Sequence, residues 1–162
     1  IITRCTNNYG PRQFAEKLIP KTIILANKNQ KIPIYGNGTN IRDWIYVDDH
    51  CDAVSLALHN GKSGESYNIS ANNEVNNIEI VKKILTIMDK SEDLIHFVDD
   101  RPGHDFRYSL DSKKISNELG WKTKLNFDNG LEKTIQWYLD NPEIINNISS
   151  AVLNSTPWKS SN

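Results

Sequence analysis

Five arginines, Arg4, Arg12, Arg42, Arg101 and Arg107, all fall in turn or strand-edge segments, whereas the helical stretches of the chain carry lysine. A guanidinium fork holds a phosphate through two donors at fixed geometry, which a mobile ammonium cannot reproduce. The competing reading is a set of structural ion pairs with Asp43, Asp100 or Asp105, and for any single arginine both stand open. Two or more arginines converging on a diphosphate is the sharper hypothesis. The loop Asp100-Arg101-Pro102-Gly103-His104-Asp105 joins a rigid proline, a permissive glycine and three kinds of polar head, a composition suited to close approach of a ligand or to a solvated turn. Asn7-Asn8-Tyr9-Gly10-Pro11 is equally dense in turn formers. Pro33-Ile34-Tyr35-Gly36 could offer backbone groups and an aromatic face to a flat base, or could simply end a strand.

Other chemistry is missing. None of the eight glycines forms Gly-x-Gly-x-x-Gly, the loop that seats a dinucleotide pyrophosphate on a helix N-terminus. None of the six tyrosines has a lysine four residues later, so the pair in which an ammonium lowers a phenol pKa is absent. Walker, Gly-x-Ser-x-Gly and His-Glu-x-x-His patterns are absent too. Cys5 and Cys51 stand far apart, and the four histidines do not join them at metal-ligand spacing. His50 in a helix and His96 in a strand read as satisfied structural histidines, and His59 lies near a helix end, where the dipole favours a cation. Trp44, Trp121, Trp137 and Cys51 read as core.

The elements that must position these groups follow from periodicity. Ile1 to Cys5 is a β-branched run with the look of a strand already in progress, as in a piece of a longer protein. Phe14 to Leu25 has mostly helical spacing, with Pro20 expected to kink it. Strands are expected at Ile32–Tyr35, Ile41–Val47, Ser66–Ser70, Leu94–Val98 and near Tyr108. Helices are expected after Asp48 or Asp49 as far as Gly61, along Ile78 to Met88, from Asp111 to Gly120, and from Phe127 to Leu139. A polar tail follows Pro142. Alternating strands and helices over 162 residues make an α/β chain with room for a real core. Nineteen Lys and Arg against 20 Asp and Glu leave a net charge of −1, which argues against nucleic acid as a partner. No apolar stretch approaches the length of a membrane span, and a reduced, cytoplasmic setting is the expectation. Asn-x-Ser/Thr triplets at Asn37, Asn68, Asn147 and Asn154 read as a by-product of abundant asparagine.

Taken in order from Ile2 to about Asn141, these segments resemble the C-terminal half of the dTDP-glucose 4,6-dehydratase family, within the extended short-chain dehydrogenase/reductases. The segments that match are Asn7 to Pro11, Glu16 to Pro20, Pro33 to Gly36, Asn40 to His50, Asp100 to Asp105 and Glu118 to Trp121. Asn-Asn-Tyr-Gly-Pro and Arg-Asp-Trp are shared with epimerases and decarboxylases, while Asp-Arg-Pro-Gly-His-Asp with Arg107-Tyr108 points to the dTDP-glucose branch. The resemblance implies the last Rossmann-type strands plus a mixed α/β substrate-binding region over residues 1–141, with residues 142–162 as a tail. It further implies that full-length relatives are lyases of deoxysugar (rhamnose) biosynthesis and form homodimers. Bound NAD takes hydride from sugar C4, water leaves across C5 and C6, and the hydride returns to C6. The catalytic Tyr, Lys and acid-base carboxylate would lie upstream of Ile1, so no catalytic residue is expected here. The partner is a small-molecule nucleotide sugar.

Carried over by position, the resemblance puts Asn7 on the substrate diphosphate and Asn8 on the nicotinamide side of NAD. Lys17 and Leu18 line the nucleotide, and Pro33, Ile34 and Tyr35 flank the thymine. Arg42 grips phosphate, Asn77 touches the nucleotide, and Asp100, Arg101 and His104 hold ribose and phosphate. Ser70-Ala71 stands where the family usually has two glycines, and Asp89 to Asp93 is shorter than in many relatives. A UDP-sugar epimerase or decarboxylase, or a non-catalytic nucleotide-sugar binding module, remain alternatives. Because the cofactor loop and the Tyr-Lys pair are absent, the purified chain is expected to turn over no dTDP-glucose with added NAD. Product formation in that assay would reveal machinery that no motif in the sequence announces.

Overall fold

A computed structural model describes residues 1–149 and 151–153; Asn154 and its triplet lie outside the described residues. The chain begins with β1 (Ile2–Cys5), β2 (Asn7–Tyr9) and α1 (Leu18–Asn27), followed by β3 (Ile32–Tyr35), β4 (Ile41–Tyr46) and α2 (Val47–Asn60). Next come β5 (Ser66–Ile69), β6 (Glu74–Asn76), α3 (Asn77–Ile87), β7 (Ile95–Val98) and β8 (Arg107–Tyr108). The helices α4 (Lys113–Leu119), α5 (Phe127–Asp140) and α6 (Pro142–Asn146) complete it. The alternating α/β class expected from the sequence is what forms.

Three sets of strands carry the architecture. β1 pairs with β5 in parallel, and so does β3 with β7. In the third set β4 takes β2 in parallel along one part of its length and, along another, β6 antiparallel and β8 parallel. β4 is therefore the strand that joins three others. Alternation explains its contents: Asp43 and Ile45 face one side, Arg42, Trp44 and Tyr46 the other. Trp44, Tyr46 and Tyr9 join Ile19, Ile23, Ile84, Leu131 and Tyr138 in the largest core cluster. Ile45 packs instead with Ala53, Ala57, Tyr67, Ile69 and Trp121.

Several local expectations are corrected. The helix does not begin near Phe14, which stays 60% exposed in the preceding turn; α1 begins at Leu18 and places Pro20 in its first turn. There an N–H has no intrahelical acceptor to lose, so the proline starts the helix without kinking it. Neither Asp48 nor Asp49 caps α2, and both sit inside its first turn. The buried Asp49 carboxylate accepts from the amides of Lys124 and Leu125 at 3.0 and 3.2 Å, tying α2 to the segment before α5. Cys51 is exposed, because α2 buries Ala53 and Ala57 and turns position 51 to the other side. His96 lies in β7 but is exposed. His50 is partly buried, and burial lowers its pKa. Trp44 and Trp121 are buried as expected, and Trp137 packs partly buried on the same cluster as Trp44. Pro142 opens α6, whose Ile145 reaches the core, so the described part of the tail is not merely polar.

Asn-rich segments provide the strands and caps that periodicity left unassigned. Asn7–Tyr9 pairs as β2 despite its turn-like composition, and Glu74–Asn76 pairs as β6. Asn76 then caps α3, its side chain accepting from the Glu79 amide at 2.9 Å, and Asn126 does the same for α5 through the Asn129 amide. Between β3 and β4, Gly38 turns the chain at φ 74°, where a Cβ would come within 2.8 Å of Ile34 Cγ2 and 2.9 Å of Ile78 Cβ. Gly38→Ala combines left-handed strain with overpacking, so it should cost about 2 kcal/mol or more, read as a lower urea midpoint at unchanged m-value.

Candidate functional site

The turn before α1, the end of β3, the outer part of β4 and the start of α3 enclose a cleft of about 260 Å³. From the turn and α1 come Gln13, Glu16, Lys17, Leu18 and Lys21; from β3 come Pro33, Ile34 and Tyr35. β2 and β4 contribute Asn7, Arg42 and Trp44, the first residue of α3 contributes Asn77, and the 99–106 loop contributes Arg101 and His104. Of the substrate-binding residues expected from the sequence, all but Asp100 line this one space. Asn8, expected at the cofactor, does not line it.

Arg42 explains how the loop is held. The residue is 7% exposed, and its guanidinium donates to the main-chain carbonyls of Ile41 at 2.7 Å, Asp105 at 2.8 Å and Phe106 at 3.4 Å. None of these partners is a carboxylate. Burial lowers the Arg42 pKa, and the Asp105 charge opposes that shift. Asn40 adds a second hold: its Nδ2 donates to the Asp105 carbonyl at 3.1 Å, while its own carbonyl receives the Asn77 amide at 3.1 Å. Asp43, next along β4, points the other way and receives Ser70 Oγ together with the amides of Asn72 at 3.2 Å and Asn73 at 3.1 Å. The Arg-Asp-Trp run thus serves three neighbours: the loop, the β5–β6 connection and the core.

Asp100 stands behind the cleft. Its Oδ1 accepts from the Arg101 amide at 2.8 Å and lies 2.6 Å from His104 Nδ1, fixing the imidazole, whose side chain is only 5% exposed. The ring also meets Tyr35 edge-on, with centroids 6.4 Å apart. Gly36, at φ 57°, approaches the Asp100 carboxylate so closely that a Cβ would sit 3.3 Å from Oδ2. Arg107 takes the ion-pair reading left open for it, with Glu74 as the partner: Nε and Nη2 reach the carboxylate at 2.8 and 2.5 Å.

The lining holds four cations, Lys17, Lys21, Arg42 and Arg101, against one carboxylate, Glu16, which pairs with Lys17 at 3.7 Å, so the cleft is positive while the chain as a whole is near neutral. Lys21 is 6% exposed, and burial lowers its pKa against the pull of Glu16. Burial also raises the Tyr35 phenol, with Arg101 opposing. Gln13, Glu16, Lys21 and Trp44 also line the cleft, although none was among the expected binding residues. Glu16 and Lys21 were detectable as neighbours of Lys17 at −1 and +4, the latter one helical turn away. Gln13 carried no local signal. No group of three or more His, Cys, Asp or Glu able to hold a metal occurs among the described residues.

The family model described as GDP-mannose 4,6 dehydratase matches residues 1–134. The chain belongs to that family. It is 49% identical over 148 residues to a probable dTDP-glucose 4,6-dehydratase of Sinorhizobium fredii, a match covering 87% of this chain and 42% of the relative. To the dTDP-glucose 4,6-dehydratase of Salmonella typhimurium it is 46% identical over 162 residues, covering 96% and 45%. The chain therefore spans less than half the length of these relatives. A crystal structure of dTDP-glucose 4,6-dehydratase from Bacillus anthracis in complex with NAD superposes with a TM-score of 0.84 at 48% identity, covering 87% of this chain and 45% of that one. A UDP-glucuronic acid 4-epimerase from Bacillus cereus is less similar at 26% identity, with a TM-score of 0.82 over 87% and 45%. Within this dehydratase family the fold is that of the Rossmann-type short-chain dehydrogenase relatives.

If Asn40 and Arg42 hold the loop through carbonyls, removing one of them should loosen it without unfolding the protein. Asn40→Ala should raise amide hydrogen exchange across residues 100–108 by about fivefold, the equivalent of one neutral hydrogen bond of about 1 kcal/mol, with exchange in α5 unchanged.

Proposed function

We propose that this chain is the nucleotide-sugar-binding portion of an NAD-dependent dTDP-glucose 4,6-dehydratase, which makes dTDP-4-dehydro-6-deoxy-glucose. The observation that carries the reading is the division of the cleft wall into two chemistries. Leu18, Pro33 and Ile34 offer apolar surface with the Tyr35 ring beside them, a fit for a flat pyrimidine. Arg42 and Arg101 lie on the same cleft and supply charge for a diphosphate, helped by Lys17. Asn7 and Asn77 add neutral hydrogen-bonding groups, and His104, held through Nδ1 by Asp100, keeps Nε2 available for a ribose hydroxyl or phosphate oxygen. Asp100 then acts through His104 and the loop backbone.

The residues present also fit NAD at one point. Asn8 commits its Nδ2 to Cys5 Sγ and the Thr6 carbonyl, both at 3.2 Å, which leaves Oδ1 as a buried acceptor with no partner among the described residues. An amide donor such as the nicotinamide carboxamide matches that atom. NAD, when bound, supplies the hydride acceptor. This chain's contribution is to bind and orient the nucleotide sugar, to neutralise its phosphates and to keep the Asn8 amide in one orientation.

Arg101→Lys in the full-length protein should weaken dTDP binding about tenfold, since the bidentate contact is lost while the charge stays. Arg42→Lys should weaken it further, because it also releases the Asp105 and Phe106 carbonyls. Titration calorimetry with unchanged dissociation constants for both variants would return these arginines to purely structural duty. The base supplies a second check: one thymine methyl in apolar contact is worth only about 1 kcal/mol, so affinities should rank dTDP, UDP, GDP with a modest first step. UDP binding more tightly than dTDP would favour the epimerase alternative.

A further inference from the structure

Two polar atoms of cleft-lining side chains are left without a partner among the described residues: the side-chain oxygen of Gln13 and the indole N–H of Trp44. Buried polar groups in native proteins are nearly always paired, so two on one cleft call for an explanation. The Gln13 amide is not free to swap its ends. Its Nε2 donates to the Asn8 carbonyl at 2.7 Å, a group that can only accept, so the oxygen is the end left over. The residue is held from its backbone as well, its own carbonyl receiving the Tyr138 hydroxyl at 2.6 Å. Trp44 is equally fixed, packed edge-on against Tyr9 with ring centroids 6.4 Å apart.

Strand register places the two residues beside consecutive positions of β2. Trp44 is the parallel partner of Asn7, and Gln13 bonds to Asn8, the next residue of β2. One atom is an acceptor and the other a donor. A phosphate or carboxylate oxygen would satisfy the indole but repel the Gln13 oxygen, and an ammonium would do the reverse. A hydroxyl donates to one and accepts from the other. We infer that Gln13 and Trp44 form a hydroxyl subsite of the cleft, which reads a sugar hydroxyl of the bound nucleotide sugar and is separate in chemistry from the arginines that hold its phosphates. The inference rests on the nucleotide-sugar reading above and assigns a task to two side chains that reading does not use.

The test is calorimetric titration of the full-length protein, with its NAD, against dTDP-glucose and dTDP. Trp44→Phe keeps an aromatic ring beside Tyr9 while removing the N–H and the second ring; Gln13→Met keeps the length and removes the acceptor together with the Nε2 bond to Asn8. Each should weaken dTDP-glucose binding about three- to tenfold. A loss confined to dTDP-glucose assigns the hydroxyl to the hexose, and an equal loss with dTDP assigns it to the deoxyribose; either outcome supports the subsite. Thermal melting confirms that each variant is folded, and the two variants carry the test independently if one is not. Wild-type binding of both ligands, matched in affinity by both variants, would overturn the subsite and leave the two atoms to ordered water. A wild-type protein that bound neither ligand would overturn the nucleotide-sugar reading, and the subsite with it.

Discussion

A buried guanidinium that spends its donors on main-chain carbonyls is the constraint from which the cleft is built. Had Arg42 been paired with Asp100 or Asp105, its charge would have been cancelled inside the protein. Carbonyl dipoles offset the cost of burying the cation without neutralising it, so a positive group is held at the cleft wall in one geometry. Two of its three contacts, those to Asp105 and Phe106, bring the 99–106 loop against β4, and with it Arg101 and His104. Asn40 repeats the arrangement from the next position on that face, joining loop, strand and the start of α3. The charge, its position and the loop that completes the lining therefore come from one short strand.

Much of this was legible in the residues, for physical reasons that differ from place to place. Ile32 to Tyr35, and Ile41 to Val47 by its alternation, declared themselves as strands, and the apolar period of Ile78, Val81, Ile84, Leu85 and Met88 declared a helix, whose fully buried residues are Ile80, Val81, Ile84 and Leu85. The arginines stood out because they avoid helices. What escaped were effects of partners distant in sequence. Asn7-Asn8-Tyr9 has the composition of a turn and becomes a strand only because Trp44, Ile45 and Tyr46 lie beside it. Cys51 looked like core because Val54 follows one turn later, yet α2 buries its alanines, and Val54 is itself 37% exposed. Gln13 is a site residue only through contacts to Asn8 and Tyr138, neither of which its neighbours in sequence reveal.

The helices on the far side of β2 and β4 matter to the cleft as well. Gly130 of α5 gives Tyr9 its space: a Cβ there would collide with the phenol, whose hydroxyl donates to the Phe127 carbonyl at 3.2 Å. Tyr9 in turn supports Trp44, and Tyr138 from the same helix holds the turn that presents Gln13. The lining is thus backed by close-packed aromatic rings, which resist the small displacements that a ligand site cannot tolerate.

The manner in which the 99–106 loop is fastened has a consequence for how such a protein can change over time. Asn40 and Arg42 grip the carbonyl oxygens of Asp105 and Phe106, and every amino acid brings that oxygen with it. The Phe106 side chain, 65% exposed, takes no part in the fastening. Replacements at these positions can therefore accumulate without releasing the loop, and new side chains can be tried at the rim of the cleft while its anchorage persists. A lineage built this way can explore new ligands by drift in a few loop residues, with little demand on the scaffold beneath.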